Sequence, residues 1–202
     1  MDLTKPHRSL GMGVTGDVLV ALAALRAPLS GRRIADRAEV SATQAAKVLH
    51  ALAESGLVDT TNARPAILYE LNRDHVLAPV IDAVVAARRA WRQRLRDAVE
   101  DWALPPVAVA VFGSSVSGVA HEGSDIDVLV VRPDRTDADE ERWSTQVVDM
   151  ARALTRWTGN HVDVVDSTVR ELAANPRLLD EVHNHGDVVV GTLPASIAPP
   201  PR

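Results

Sequence analysis

The chain has 202 residues, of which 46% are hydrophobic and 24% are charged, as in an ordinary globular protein with one large domain or two small ones. It contains no cysteine, which excludes disulfides, zinc–thiolate sites and thiol nucleophiles and agrees with a reducing compartment. The net charge of −5 is uneven, since residues 1–103 carry 14 Lys/Arg and 12 Asp/Glu whereas residues 104–202 carry 8 and 15.

This charge asymmetry indicates different partners for the two halves. The first half can approach nucleic acid, whereas an acidic half that binds a nucleotide needs metal ions to bring the phosphates in. The amino-terminal stretch MDLTKPHRSL is too polar for a signal peptide, and no apolar run approaches the roughly 18 residues of a membrane helix. We therefore expect a soluble, cytoplasmic protein with no membrane partner.

The first half predicts three helices followed by a hairpin. Apolar residues recur at helical spacing over residues 17–25, 32–38 and 42–55, and Ser30 and Ser41 are expected N-caps. Two short strands, 57–61 and 66–71, flank a polar turn. The letters GMGVTG at 11–16 match a dinucleotide-binding fingerprint, but no strand is predicted before them, so we interpret them as a leader into the first helix.

This arrangement resembles the winged helix-turn-helix domains of bacterial regulators, and it predicts a mainly α domain over residues 1–72. If the resemblance holds, the third helix presents side chains to DNA and the hairpin forms the wing. The candidate DNA-contacting residues are Thr43, Gln44, Lys47, His50 and Arg64. Winged helices also bind proteins, so a protein partner is the alternative. A homodimer would double the phosphate contacts.

Residues 73–103 predict a connecting helix, interrupted near its start by Pro79. Its apolar positions fall at helical spacing, and a run of arginines between residues 88 and 96 occupies the rest. The helix is expected to join two domains or to form a dimer contact, with its arginines facing solvent. Pro105 and Pro106 end it.

Residues 104–192 alternate strands and helices and predict an α/β domain with a mixed sheet. Strands are expected at 107–112, after Ser124, at 161–165 and at 187–190, and helices at 140–157, 168–175 and 177–185. The proline-rich residues 193–202 are expected to be a disordered tail.

Within that domain, Phe112 to Val131 places two kinds of site side by side. A strand runs into Gly113-Ser114, and such a turn offers backbone N–H groups to an anion. The next strand opens with Asp125 and Asp127, whose side chains leave the same face because strand side chains alternate. Two carboxylates on one face favour a cation, so the stretch indicates nucleotide chemistry.

The spacing resembles the minimal nucleotidyltransferases of the DNA polymerase β superfamily, whose signature is Gly-Ser, ten residues, then Asp-x-Asp. Here ten residues, Ser115 to Ser124, separate Gly113-Ser114 from Asp125-Ile126-Asp127. The resemblance covers about residues 104–192. It implies that Asp125 and Asp127 hold Mg²⁺ or Mn²⁺ and that Gly113 and Ser114 hold the phosphates that leave as pyrophosphate.

The resemblance also implies a third carboxylate from a neighbouring strand. Asp163 fits that role, and Asp166 is the alternative if the strand register slips. Ser115 and Ser124 are candidate phosphate contacts or turn caps. His121 is expected in a loop, and the i, i+2 spacing of His183 and His185 does not converge on one metal, so both are expected at the surface.

The function implied is Mg²⁺-dependent transfer of a nucleoside monophosphate, AMP from ATP or NMP from another NTP, to a hydroxyl. By analogy with minimal nucleotidyltransferases of toxin–antitoxin pairs, the expected acceptor lies on a partner protein. One alternative is a catalytically silent winged-helix regulator or antitoxin that uses the second domain as a sensor or partner-binding module. Another is transfer to a small molecule such as an antibiotic.

Overall fold

A computed structural model describes residues 1–116, 124–133 and 139–194. The chain divides into two compact units, one made of Met1–Thr4 and Ala90–Arg202 and the other of Lys5–Arg89. The sequence of the Lys5–Arg89 unit is therefore inserted into that of the other unit, directly after Thr4. Residues 117–123, 134–138 and 195–202, which include His121 and most of the predicted tail, lie outside the described residues.

The Lys5–Arg89 unit contains the predicted helices and hairpin. A 3-10 helix, Pro6–Leu10, precedes α1 (Gly13–Ala23), and a two-residue strand, β1 (Leu29–Ser30), leads into the elements that follow. These are α2 (Gly31–Ala38), α3 (Ala42–Glu54), β2 (Val58–Ala63) and β3 (Ala66–Leu71). The strands form an antiparallel sheet in the order β1-β3-β2, in which the short β1 was not predicted.

Local side chains set the starts of α2 and α3, as predicted. Ser30 accepts a hydrogen bond from the Arg33 N–H at 3.5 Å, and Ser41 accepts one from the Gln44 N–H at 3.2 Å. The Gln44 side chain accepts from the Ser41 N–H in return, which completes a capping box. The core beneath consists of buried aliphatic residues from all three helices and the sheet, among them Val18, Leu22, Ile34, Leu49 and Leu71.

A buried charged group joins the start of this unit to α1. Asp17 is 5% exposed and lies 2.8 Å from His7 Nε2 and 3.0 Å from Arg8 Nη2. Gly16 makes room for this arrangement, because a Cβ there would lie 2.9 Å from His7 Cδ2 and 2.7 Å from Met12 Cβ. Gly16 thus serves packing rather than nucleotide binding. The prediction that residues 11–16 lead into the helix was wrong for residues 13–16, which form the first turn of α1.

The other unit is built on a mixed four-stranded sheet, as predicted. Its strands are β4 (Ala108–Phe112), β5 (Ile126–Arg132), β6 (Val162–Thr168) and β7 (Asp187–Gly191), in the order β6-β5-β4-β7. Strands β4 and β5 are antiparallel, β4 and β7 are antiparallel, and β5 and β6 are parallel. The parallel pair brings the starts of β5 and β6 to the same edge of the sheet.

Helices cover both faces of this sheet. The alternate residues Ile126, Val128 and Val130 of β5 pack with Trp143, Met150 and Leu154 of α5 (Glu140–Thr158). Leu129 and Val131 of the same strand pack with residues of α6 (Val169–Ala174) and α7 (Pro176–His185). Asp127 belongs to the second face because strand side chains alternate.

Helix α4 (Ala78–Glu100) crosses the boundary between the units, which falls between Arg89 and Ala90. It begins five residues later than the first residue of the predicted connector. The prediction that the arginines of this helix face solvent was wrong for two of them. Arg92 pairs with Asp187, and Arg96 Nε donates to the Val189 carbonyl at 3.2 Å. Among the described residues, no helix is both long and apolar enough to cross a membrane.

Candidate active site

The two aspartates of the motif lie at the start of β5. Asp127 is the second residue of the strand and is half-buried, and Asp125 directly precedes the strand and is exposed. The prediction that the strand opens with Asp125 was therefore wrong by one residue, because the pairing with β6 begins at Ile126. The buried side chains of Ile126 and Val128 point to the opposite face.

Asp163 lies beside Asp127 on the neighbouring strand. The two residues are register partners in the parallel pair β5–β6, so their side chains leave the same face of the sheet. Asp166, the alternative from sequence, pairs with Val130 instead and lies on the other face. It accepts a hydrogen bond from Trp143 Nε1 at 2.9 Å and lies 3.9 Å from Arg132 Nε. Of Asp163 and Asp166, therefore, only Asp163 lies on the same face of the sheet as Asp127.

The Gly113 turn closes over Asp127 from the other side. Phe112 is the register partner of Asp127 on β4, and residues Gly113–Ser115 form a 3-10 turn directly after it. Gly113 has a φ of 72°, and a Cβ there would lie 3.3 Å from Asp127 Cγ and closer still to Oδ2. The backbone can approach the carboxylate only because residue 113 lacks a side chain.

The two serines of the turn differ in position. Ser114 is exposed, whereas Ser115 is buried and its Oγ donates to the Phe112 carbonyl at 3.1 Å. Ser115 therefore acts as a turn cap, one of the two roles predicted for it. Ser124 is also buried, at the entrance to β5.

The carboxylates make a site of concentrated negative charge. The pKa of Asp127 is raised, first by burial and then by the charges of Asp163, Asp125 and Glu181. Glu181 belongs to α7, which packs over this face of the sheet through Leu179 and Val182. Sequence reasoning missed Glu181, because an exposed glutamate on an amphipathic helix carries no local signal that places it near a distant strand.

The donor set fits a hard divalent cation in its chemistry. Carboxylate oxygens are the ligands that Mg²⁺ prefers, and the mutual repulsion that raises the pKa of Asp127 is what such a cation relieves. Asp163 Oδ1 lies 3.3 Å from His161 Nε2. In the described ranges, no three His, Asp or Glu side chains already converge closely enough to hold a metal ion.

The candidate DNA-contacting residues, Thr43, Gln44, Lys47 and His50 on α3 and Arg64 in the turn between β2 and β3, are all exposed. Gln44 takes part in the capping box, and His50 lies 3.4 Å from Glu54. Gln44 and Lys47 also line a groove of about 390 Å³ whose walls are mainly apolar, with Val14, Val48 and Leu52. An apolar groove therefore lies beside the candidate DNA-contacting side chains of α3.

The two histidines of α7 do not form a site. His183 Nδ1 lies 2.9 Å from the Leu179 carbonyl of the preceding turn, and both His183 and His185 are exposed. This agrees with the prediction that they lie at the surface.

Comparison with solved structures gives several distant similarities. A crystal structure described as a toxin–antitoxin with AMP-PNP is 28% identical over 50% of this chain and 73% of that chain, with a TM-score of 0.37. A toxin–antitoxin MntA–HpeT mutant is 23% identical over the same shares, with a TM-score of 0.38. TrmBL2, an archaeal chromatin protein, is 14% identical over 83% of this chain and 70% of that chain, with a TM-score of 0.27.

Among curated proteins, none matches the chain. A family model does match, and it is described as the nucleotidyltransferase domain. The match covers residues 92–189, which include the Gly113 turn and the three aspartates beside it. Residues 92–189 are thus a nucleotidyltransferase domain, and this match supports nucleotidyltransferase activity for the chain.

Proposed function

We propose that the chain transfers a nucleoside monophosphate, AMP from ATP by preference, to a hydroxyl acceptor. The observation that carries the proposal is the position of Asp127, which lies between the Gly113 turn on one side and Asp163 on the other. A phosphate-binding turn and a carboxylate cluster then share one face of the sheet. That is the arrangement that nucleotidyl transfer requires, because the protein has to position and neutralise phosphates rather than form bonds to them.

In this proposal each residue has one role. Asp125, Asp127 and Asp163 hold Mg²⁺ or Mn²⁺, which when bound neutralises phosphate oxygens and favours ionisation of the attacking hydroxyl. Gly113 and Ser114 hold the β- and γ-phosphates that depart. The close approach of the Gly113 backbone to Asp127 keeps the leaving phosphates next to the carboxylates.

We place the acceptor hydroxyl on a partner protein. Transfer to an RNA end calls for a basic channel along the strand, whereas residues 104–202 carry 8 Lys/Arg against 15 Asp/Glu. The resemblance to minimal nucleotidyltransferases of toxin–antitoxin pairs, noted from the motif, favours a protein in this role. An incubation with an α-labelled triphosphate, Mg²⁺ and the candidate partner tests it, with an Asp125→Ala, Asp127→Ala variant beside it. We expect the wild type to label the partner and the variant to leave it unlabelled.

A small cationic acceptor is the second candidate, and the position of Glu181 favours it. This glutamate adds a fourth negative charge near Asp127, on a surface that would attract an aminoglycoside-like amine. The same incubation with a panel of aminoglycosides separates the two acceptors. Label that moves to the small molecule in preference to the protein would select this candidate.

A catalytically silent regulator is the third candidate. The 3.3 Å contact between Asp163 Oδ1 and His161 Nε2 favours it, because this contact engages an oxygen that the proposed metal would need. Absence of transfer from every triphosphate to protein, RNA and small acceptors would select it.

For residues 5–89 we propose a winged helix that binds DNA or docks a partner protein. The order of its three helices and the β2–β3 hairpin supports this, as does the exposure of Lys47 and Arg64. A mobility-shift titration with upstream DNA at two salt concentrations tests it, with a Lys47→Ala, Arg64→Ala variant as the comparison. Absence of a shift at low salt would select protein docking, and light scattering would show whether the chain dimerises.

A further inference from the structure

A buried asparagine lies at the edge of the sheet where β5 and β6 begin. Asn160 is 3% exposed, between the end of α5 and the start of β6. Its Nδ2 donates to the Ser124 carbonyl at 2.7 Å and to the Met1 carbonyl at 3.0 Å, and its Oδ1 accepts from the Met1 nitrogen. A buried amide is costly unless its hydrogen bonds are made, and here both ends of the group are used.

The bond to Ser124 acts directly on the motif. The Ser124 carbonyl belongs to the peptide unit that carries the Asp125 nitrogen, and a peptide unit is planar, so fixing this oxygen fixes the plane that enters Asp125. On the other side of Asp125, the Ile126 N–H donates to the His161 carbonyl at 2.9 Å. Residues 160 and 161 therefore hold the peptide units before and after Asp125, which itself lies outside β5.

The other side of Asn160 is formed by the first residues of the chain. Leu3 is 3% exposed and packs in the same core as Trp91, Leu95 and Trp143. Asp2 is buried and accepts from the Thr4 N–H and hydroxyl, both at 2.7 Å. Residues 1–4 are thus a structural part of the nucleotidyltransferase unit, although 85 residues separate them from its remainder.

We infer that Asn160 is a positioning residue for Asp125, and that the Met1 backbone, anchored by the burial of Leu3 in the core, holds its amide in place. The inference rests on the proposed role of Asp125 in metal and nucleotide binding. An exposed aspartate just before a strand has several rotamers and a mobile backbone, whereas one held between two hydrogen bonds has a defined backbone. Residues that orient a metal ligand in this way change metal affinity or activity by about 10–100-fold when they are replaced.

The test replaces the amide by a carboxylate of the same shape. In Asn160→Asp the group loses both N–H donors, so it faces the Ser124 and Met1 carbonyls with only acceptors. Asn175→Asp is the matched control, since Asn175 is an exposed N-cap that accepts from the Leu178 N–H at 3.3 Å, and aspartate keeps that bond. Both variants make the same change of charge in the same unit.

Amide hydrogen exchange of residues 124–128 is the first readout, because it does not depend on activity. We expect exchange at Asp125 and Ile126 to become about tenfold faster in Asn160→Asp and to stay unchanged in Asn175→Asp. If Asn160→Asp does not fold, Asn160→Gln keeps the amide but displaces it, and the same acceleration is expected. Unchanged exchange in the folded variant overturns the inference.

Mn²⁺ binding, followed through the electron paramagnetic resonance of the free ion, is the second readout. Binding weakened by about tenfold or more in Asn160→Asp alone supports the inference. Equal Mn²⁺ affinity in Asn160→Asp and wild type overturns it. Faster exchange combined with no label transfer by the wild type leaves the positioning of Asp125 standing and removes the proposed function, so the two failures are distinguishable.

Discussion

Gly113 and Asp127 approach each other so closely that position 113 has no space for a side chain. A Cβ on Gly113 would lie 3.3 Å from Asp127 Cγ, and the residue has a φ of 72°. The glycine therefore meets two demands at once, a left-handed backbone and contact with a carboxylate. Its Gly-Ser turn is part of the site geometry and does more than connect two elements.

Gly113→Ala is expected to abolish transfer. The methyl group strains the backbone by about 1–2 kcal/mol and pushes the Asp127 carboxylate from its place. Gly159→Ala is the matched control, because Gly159 has a φ of 74° and nothing within 4 Å of an added Cβ. Both variants should lose similar thermal stability, and transfer should be lost only in the first. Equal activity in the two variants would contradict the proposed contact.

Asp163→Asn is expected to reduce kcat/KM for transfer by about 100-fold or more, since a metal ligand supplies several kcal/mol of transition-state stabilisation. Asp166→Asn should leave kcat/KM near that of the wild type, because Asp166 lies on the other face and contacts Trp143. Its cost should be about 1 kcal/mol in the free energy of unfolding, as a charged acceptor becomes a neutral one. A larger kinetic loss in Asp166→Asn than in Asp163→Asn would reverse the assignment.

Asp127→Asn is expected to raise the melting temperature in the absence of metal at pH 7. The pKa of Asp127 is raised in the folded chain by burial and by Asp163, Asp125 and Glu181. The ionised carboxylate therefore destabilises the fold above that pKa, and the penalty disappears below the unfolded pKa of about 3.9. The gain in melting temperature of Asp127→Asn over the wild type should vanish near pH 3.

Added Mg²⁺ should make the melting temperature of the wild type higher than that of Asp127→Asn. The cation raises the melting temperature of the wild type by binding its folded state, and raises that of Asp127→Asn less. Scanning fluorimetry with and without Mg²⁺ at pH 7 measures both effects. Equal Mg²⁺ shifts in the two proteins would argue against Asp127 as a ligand.

Asp17→Asn is expected to destabilise the Lys5–Arg89 unit by about 1–3 kcal/mol, because it removes the charged partner of the buried His7 side chain and of the partly exposed Arg8 guanidinium. Burial raises the pKa of Asp17, but the hydrogen bonds and charges of Arg8 and His7 outweigh it, so the pKa is lowered. This stabilisation is present above the unfolded pKa of about 3.9 and is lost as the pH falls through the folded pKa.

Urea unfolding between pH 7 and pH 2.5 measures this dependence. The midpoint should fall more steeply in the wild type than in Asp17→Asn, with the exposed Asp36→Asn as the control. A parallel fall in all three proteins would show that the buried group contributes nothing to acid sensitivity.

The elements with clear periodicity could be predicted from sequence. Helices α2, α3 and α7 and the strands on both sides of the motif lie within a few residues of their predicted bounds, because caps and apolar spacing are local signals. The two-residue strand β1 was missed, since its only cause is pairing with β3. Asp125 was placed on the strand because pairing with β6, which decides where β5 begins, is not a local property.

The site itself was only partly predictable. The motif identifies the Gly113 turn and two aspartates, but only the register of β6 against β5 separates Asp163 from Asp166. Glu181 comes near Asp127 through the packing of α7 on the sheet. Asn160 lies between a predicted helix and a predicted strand, where no local signal marks it as buried, and its amide bonds to Met1, which is far away in sequence.

The most direct test of nucleotidyl transfer is a comparison of α-labelled with γ-labelled ATP. The chain, Mg²⁺ and a candidate acceptor are incubated with each nucleotide, and label on the acceptor and in pyrophosphate is measured. If the chain transfers a nucleotidyl group, the acceptor keeps the α-label and the γ-label leaves in pyrophosphate. The Asp125→Ala, Asp127→Ala variant is expected to label neither the acceptor nor pyrophosphate. Transfer of the γ-label to the acceptor, or no transfer from any triphosphate, would contradict the proposed function.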